Sequence, residues 1–263
     1  MNVRQIKLIE LTQLNPIAMK DFVTELQNHG FAILKTTGLE GCDAISRTLE
    51  TAQSMKTFRF PAHDETIQYT EDKRTSFKEL FTWSRICLRA ILKNLDANGH
   101  HNKDLLKALE YSEDINTLFP PNNLGHTPFQ EGVDFSSSFY NIFHYDYGLL
   151  NHHKDRYLVT VVAANVSSNT ENRTCLWAKS PTVGWVNIDN ILKPNEVAVF
   201  TGEDFEDLTA KLGTPIPAVL HCTRVDPTGP RLPRYDNHPD PSTPTTGNRV
   251  SMAFVLSNGA DEQ

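Results

Sequence analysis

Apolar residues recur at helical spacing from Pro16 to His29, where Ile17, Phe22, Val23 and Leu26 share a rough face, and this predicts a helix. Pro16 suits its first turn, and Gly30 suits the position just past its end. Phe31-Ala32-Ile33-Leu34 follows at once as a continuous apolar run, which reads as a short buried strand closed by Thr37-Gly38. A second helix is expected from Asp43 to about Lys56, with Asp43 as its cap and Ile45, Leu49 and Ala52 on one face. Residues 57 to 75 are polar and show no period. A long helix is predicted from about Ser76 to Asn98, carrying Phe77, Leu80, Phe81, Leu88, Ile91 and Leu95 among its apolar positions. A shorter one, Asp104 to Tyr111, precedes a loop with Pro120, Pro121, Asn122 and Asn123.

The pattern then changes. Ser136 to Tyr145, Tyr157 to Ala164, Gly184 to Ile188, Glu196 to Phe200 and Arg249 to Leu256 are short runs of β type with turn residues between them. Many short strands with no βαβ alternation predict an antiparallel sandwich or barrel flanked by helices, a mainly β fold. One domain is expected over 1–263, helical to about residue 125 and β from about 126 onward. Between His221 and Arg249 lie six of the fifteen prolines, at 227, 230, 233, 239, 241 and 244. That marks an insertion over about 225–247, joining two strands by a loop of a length that is usually functional or disordered.

Composition narrows the class without naming an activity. Hydrophobic residues make up 39% and charged residues 22%, ordinary for a globular chain with a sizeable core. No apolar run approaches the roughly 18 residues of a membrane span, and no secretory signal pattern opens the chain. Cys42, Cys87, Cys175 and Cys222 are scattered, which fits reduced thiols and a cytoplasmic location. The net charge of −7, without a basic run, argues against gripping nucleic acid. The oligomeric state is not legible.

Three donor side chains stand out. His153-Lys154-Asp155 is an H-x-D, and on an extended strand residues i and i+2 point to one side. His221 opens a later strand-like segment. Two imidazoles and one carboxylate on a triangular face leave adjacent positions open, which suits Fe(II) and oxygen activation. Arg249-Val250-Ser251 again places two polar groups on one side of a strand, and an Arg fork with a Ser hydroxyl suits a carboxylate.

With these landmarks the chain resembles the isopenicillin N synthase-like family of Fe(II)/2-oxoglutarate dioxygenases. NHGFAILKTTG, FHY, HKDRYLVTVV, GWVNI, KPNEVAVFTGE, the His221 segment and RVS fall in the family's order. The resemblance covers most of the chain, best from about Ser136 onward. It implies a double-stranded β-helix (a jelly-roll relative) with flanking helices. It also implies oxidation, hydroxylation by default, of a small-molecule substrate by O₂, with 2-oxoglutarate converted to succinate and CO₂. Iron would be held by His153, Asp155 and His221, and the far carboxylate of 2-oxoglutarate by Arg249, Ser251 and Tyr145. Two features depart from the pattern. The gap from His221 to Arg249 is far longer than usual, and a second H-x-D stands at His144-Tyr145-Asp146. His153 and Asp155 are preferred because the alternating run Tyr157 to Val162 follows them directly. The alternatives are an iron oxidase of the same fold that does not use 2-oxoglutarate, a non-catalytic binding protein that has kept the fold, and zinc hydrolysis, which leaves RVS unexplained.

Overall fold

Why each element forms is visible residue by residue in the computed structural model, which describes residues 3–39, 41–54, 71–98, 139–145, 150–165, 174–229 and 249–256. Strand β1 (Gln5–Lys7) and helix α1 (Leu8–Thr12) come first. Helix α2 (Pro16–His29) starts where Asn15 Oδ1 accepts hydrogen bonds from the N–H groups of Ile17 and Ala18, at 3.0 and 3.2 Å. Such a cap is worth about 1 kcal/mol. It ends at Gly30, whose φ of 75° is the left-handed conformation a glycine adopts without strain.

Then come β2 (Phe31–Lys35), α3 (Cys42–Ser54), α4 (Glu71–Ala97), β3 (Phe139–Tyr145), β4 (Leu150–His153), β5 (Val159–Ala164), β6 (Cys175–Ser180) and β7 (Gly184–Asn187). A single helical turn, α5 (Ile188–Ile191), leads into β8 (Glu196–Thr201). Helix α6 (Glu203–Lys211), β9 (His221–Arg224) and β10 (Arg249–Leu256) complete the order.

Among the described residues the strands form two sheets. One has the order β1-β2-β8-β5-β10-β3 and the other β4-β9-β6-β7. Pairing is antiparallel except for β1 beside β2. Alternation in the larger sheet assigns its two faces. Val159, Val161, Val197, Val199, Val250, Met252 and Phe254 pack with Phe22, Leu26, Leu80 and Ile91 of the helices. Phe77 and Phe81 meet Phe254 edge-on, with ring centroids 5.6 and 5.3 Å away. The opposite face, with Phe31, Val162, Ala198, Phe200 and Ala253, packs with Leu176, Ala178 and Val219 beside the smaller sheet. Both faces of β5, β8 and β10 are therefore buried, which is why their sequences are near-continuous apolar runs.

The sequence expectation needs adjusting at five places. Helix α4 begins at Glu71, within the stretch read as irregular, because its first turns are polar yet helix-compatible and carry no apolar period. Strands β4 and β6 were not anticipated, nor was α6, although Glu203, Asp204 and Glu206 in its first turn are a helix-start signal. Most consequential, the H-x-D does not lie on the strand that follows it. His153 is the last residue of β4 in the smaller sheet, Asp155 sits in the link, and β5 belongs to the larger sheet. The expected helix at 104–111, the loop at 120–123 and residues 230–248 of the proline-rich segment lie outside the described residues. No described helix is long and apolar enough to cross a membrane.

Candidate metal centre

His153, Asp155 and His221 come together, each offering one ligand atom, with those atoms all within 4.8 Å of one another. The convergence has a local cause. Strands β4 and β9 pair so that His153 lies directly opposite His221, and Asp155 sits in the link that leaves β4, bends at 156–158 and enters the larger sheet. The two ring centroids are 4.2 Å apart. Asp155 Oδ1 is 3.6 Å from Nε2 of both His153 and His221. Two ligands around one first-row metal ion at about 2.1 Å stand roughly 3–3.6 Å from each other.

Both imidazoles are held in the tautomer a metal needs. His153 Nδ1 is 2.8 Å from the Asn151 carbonyl, and His221 Nδ1 is 3.1 Å from the Val219 carbonyl. A carbonyl can only accept, so Nδ1 donates in each ring and Nε2 is the nitrogen turned toward Asp155. The Phe200 ring lies flat against His221, with centroids 5.3 Å apart and planes 7° from parallel, and fixes the ring's rotation. Thr160, the first inward-facing residue of β5, donates to Asp155 Oδ2 at 2.6 Å and so turns Oδ1 toward the imidazoles.

The electrostatics follow from burial and proximity. Burial works to raise the Asp155 carboxyl, but the His153 and His221 rings and the Thr160 hydroxyl outweigh it and hold it at about 2. Burial lowers His221, helped by the neighbouring His153 ring, against the pull of Asp155. For His153 burial is overcome by Asp155 and the Asn151 carbonyl, and the ring is raised. His153 keeps 35% of its side chain accessible against 8% for His221, so the group opens toward solvent on the His153 side.

Helix α6 straps this link in place. Glu203 N–H donates to the Asp155 carbonyl at 2.8 Å, Asp204 N–H to Arg156 at 3.0 Å and Gly202 N–H to Leu158 at 3.1 Å. At Gly202 the backbones come so close that a Cβ would lie 1.9 Å from the Tyr157 carbonyl oxygen.

Arg249 and Ser251 face the space between the sheets and are 1% and 2% exposed. They are bonded to each other, Arg249 Nη1 donating to Ser251 Oγ at 2.7 Å. Arg249 also meets a residue the sequence did not single out. Its Nε and Nη2 donate to Asp189 Oδ2 and Oδ1 at 2.7 and 3.1 Å. Asp189 stands in the single turn α5 and also accepts from Leu176 N–H at 3.0 Å. Tyr145 lies directly opposite Arg249 in the β3–β10 register. His144, of the second H-x-D, lies opposite Val250, which packs in the helical cluster, and Asp146 is outside the described residues. Thr160, Asp189, Phe200 and Gly202 are the residues sequence reasoning missed here. Thr160 lies in the HKDRYLVTVV landmark and Phe200 and Gly202 in KPNEVAVFTGE, whereas Asp189 lies in none of them.

No protein-family model matches the chain, and no curated protein sequence does. Solved structures do match in fold. One is a full-length Neurospora crassa protein in complex with alpha-KG and 5-formyluracil, 14% identical, covering 97% of this chain and 84% of that one at a TM-score of 0.55. Another is dioxygenase for auxin oxidation 1 of Arabidopsis thaliana with 2-oxoglutarate, 13% identical over 97% of this chain and 92% of that one, TM-score 0.56. A third is JOX2 in complex with 2OG, Fe and JA, 14% identical over 98% and 75%, TM-score 0.57. This chain therefore shares the fold of 2-oxoglutarate and iron oxygenases.

Proposed function

We propose that this chain is an Fe(II)- and 2-oxoglutarate-dependent oxygenase, a single double-stranded β-helix domain that oxidises a small molecule, with hydroxylation as the default outcome. The observation that carries the reading is the meeting of three ligand atoms from three segments of the fold, with both imidazoles locked to present Nε2. Two His and one carboxylate are the donor set of non-haem Fe(II) sites that leave open positions for other ligands. Bound there, iron would supply O₂ activation coupled to decarboxylation of 2-oxoglutarate to succinate and CO₂. His153, Asp155 and His221 would hold it, and Thr160 and Phe200 orient the holders. Arg249 and Ser251, with Tyr145 opposite in register, are the groups that would receive the distal carboxylate of the co-substrate.

The fold neighbours that bind 5-formyluracil or JA support a small-molecule substrate without identifying it. A 2-oxoglutarate-independent iron oxidase is the second reading, favoured by the pairing of Arg249 with Asp189. Anaerobic Fe(II) titration followed by succinate assay separates the possibilities. The proposal expects one metal per chain, lost in His221→Ala and Asp155→Ala, and succinate formed on adding O₂ and 2-oxoglutarate. Metal binding without succinate favours the oxidase. Metal binding unchanged in His221→Ala overturns both.

A further inference from the structure

Arg249 does not stand in the interior as a lone cation. Its Nε/Nη2 edge, the pair of parallel donors best shaped for a carboxylate, already holds Asp189. We infer that Asp189 sets co-substrate specificity by competing with the ligand's distal carboxylate for Arg249, so that the protein discriminates only weakly between a dicarboxylate and an uncharged-tail 2-oxo acid. The inference rests on the co-substrate role proposed above for Arg249.

Two observations carry it. First, Asp189 is fixed: Leu176 N–H holds the same Oδ2 at 3.0 Å, and the turn that bears it is capped by Asn187 Oδ1, which accepts from Asn190 N–H at 3.1 Å. The carboxylate therefore cannot swing away cheaply when a ligand arrives. Second, the two side chains are each 1% exposed, so their charges cancel where water does not screen. A second carboxylate on the same guanidinium would stand within about 6 Å of Asp189, and at an effective dielectric constant near 20 that repulsion costs roughly a hundredfold in affinity. Ser251 Oγ accepts from Arg249 Nη1, so its own proton is the one it can give to a ligand oxygen, and that donation requires no ligand charge.

The test is binding, not turnover. Mn(II)-loaded protein is titrated with 2-oxoglutarate and with 2-oxopentanoate, which has the same carbon chain and no distal carboxylate. Wild type is expected to favour the dicarboxylate by less than about tenfold, and Asp189→Asn to raise that preference toward a hundredfold by tightening 2-oxoglutarate alone. A wild-type preference of about a hundredfold or more overturns the inference and leaves the oxygenase reading intact. So does an Asp189→Asn protein that binds 2-oxoglutarate no better than wild type. The wild-type ratio decides the matter if the variant fails to fold. A wild type that takes up Mn(II) but neither 2-oxo acid removes the co-substrate reading together with the inference.

Discussion

Thr160→Val removes one hydrogen bond at the candidate metal centre and little else. The bond is short, 2.6 Å from Oγ1 to Asp155 Oδ2, and Thr160 is 4% exposed, so no solvent donor replaces it. Hydrogen bonds to charged groups are worth about 1.5–3 kcal/mol, and valine fills the same strand position with the same branching. The loss falls on the carboxylate. It rises from about 2 and becomes free to rotate Oδ1 away from the imidazoles. Removing an orienting partner of a metal ligand typically costs about 10–100-fold in affinity. Mn(II) or Fe(II) binding to Thr160→Val by anaerobic calorimetry should weaken by that factor, while Thr160→Ser, which keeps the hydroxyl, should bind like wild type. The melting temperature without metal should change by only a few degrees. If Thr160→Val binds metal as tightly as wild type, Thr160 does not position Asp155 and this account of the site is wrong.

Three further outcomes follow from the same geometry. Gly202→Ala would drive a Cβ into the Tyr157 backbone carbonyl, so the link bearing Asp155 must shift; thermal melts should show about 1–3 kcal/mol of destabilisation, and metal titration a weakened site. In the metal-free protein Asp155 is held at about 2, below its ordinary 3.8, so it contributes about 2 kcal/mol of stability above pH 4 that is lost as pH falls toward 2. Acid unfolding of Asp155→Asn should therefore be flatter across that window, and an acid limb as steep as wild type would contradict the assignment. Cys222 is fully buried and its thiol is pushed up to about 11 by burial, whereas Cys42 is half-buried. Iodoacetamide labelling of the native protein, read by peptide mass spectrometry, should modify Cys42 well before Cys222.

How much of this was legible depended on what each signal requires. Helix α2 and strand β10 could be read to the residue, because a capped amphipathic run and an eight-residue apolar run are self-contained patterns. Strands β1 and β4 have three or four residues and, in β4, polar histidines; only their pairing makes them strands, whereas the strand-like segment read from His221 is β9. The H-x-D side chains do lie together beside His221, but not by the geometry expected of one strand. The two side chains converge across the end of β4 and the link between sheets, not because both ride one strand. The pairing of Arg249 with Asp189 had no sequence signal at all. The chain has 32 acidic residues, and nothing local distinguishes one at position 189 as the partner of a residue sixty positions away.

That pairing also ties stability to ligand binding. Asp189 bonds Leu176 in the smaller sheet and Arg249 in the larger, so one carboxylate fastens the two sheets whose separation sets the distance from the metal group to Arg249. Removing one member of a buried ion pair costs about 3–5 kcal/mol, because the other charge is left without compensation. In Asp189→Asn the charge that remains is Arg249, the group a dicarboxylate would neutralise. Ligand that binds only the folded state adds stability by mass action, about 2.7 kcal/mol at a hundred times its dissociation constant. Saturating 2-oxoglutarate with Mn(II) should therefore restore most of the melting temperature the variant has lost, and should raise wild type far less. 2-Oxopentanoate should restore little. A variant that melts low and gains no more from the dicarboxylate than from the uncharged tail would mean that the Arg249 guanidinium is not where the ligand's far end goes.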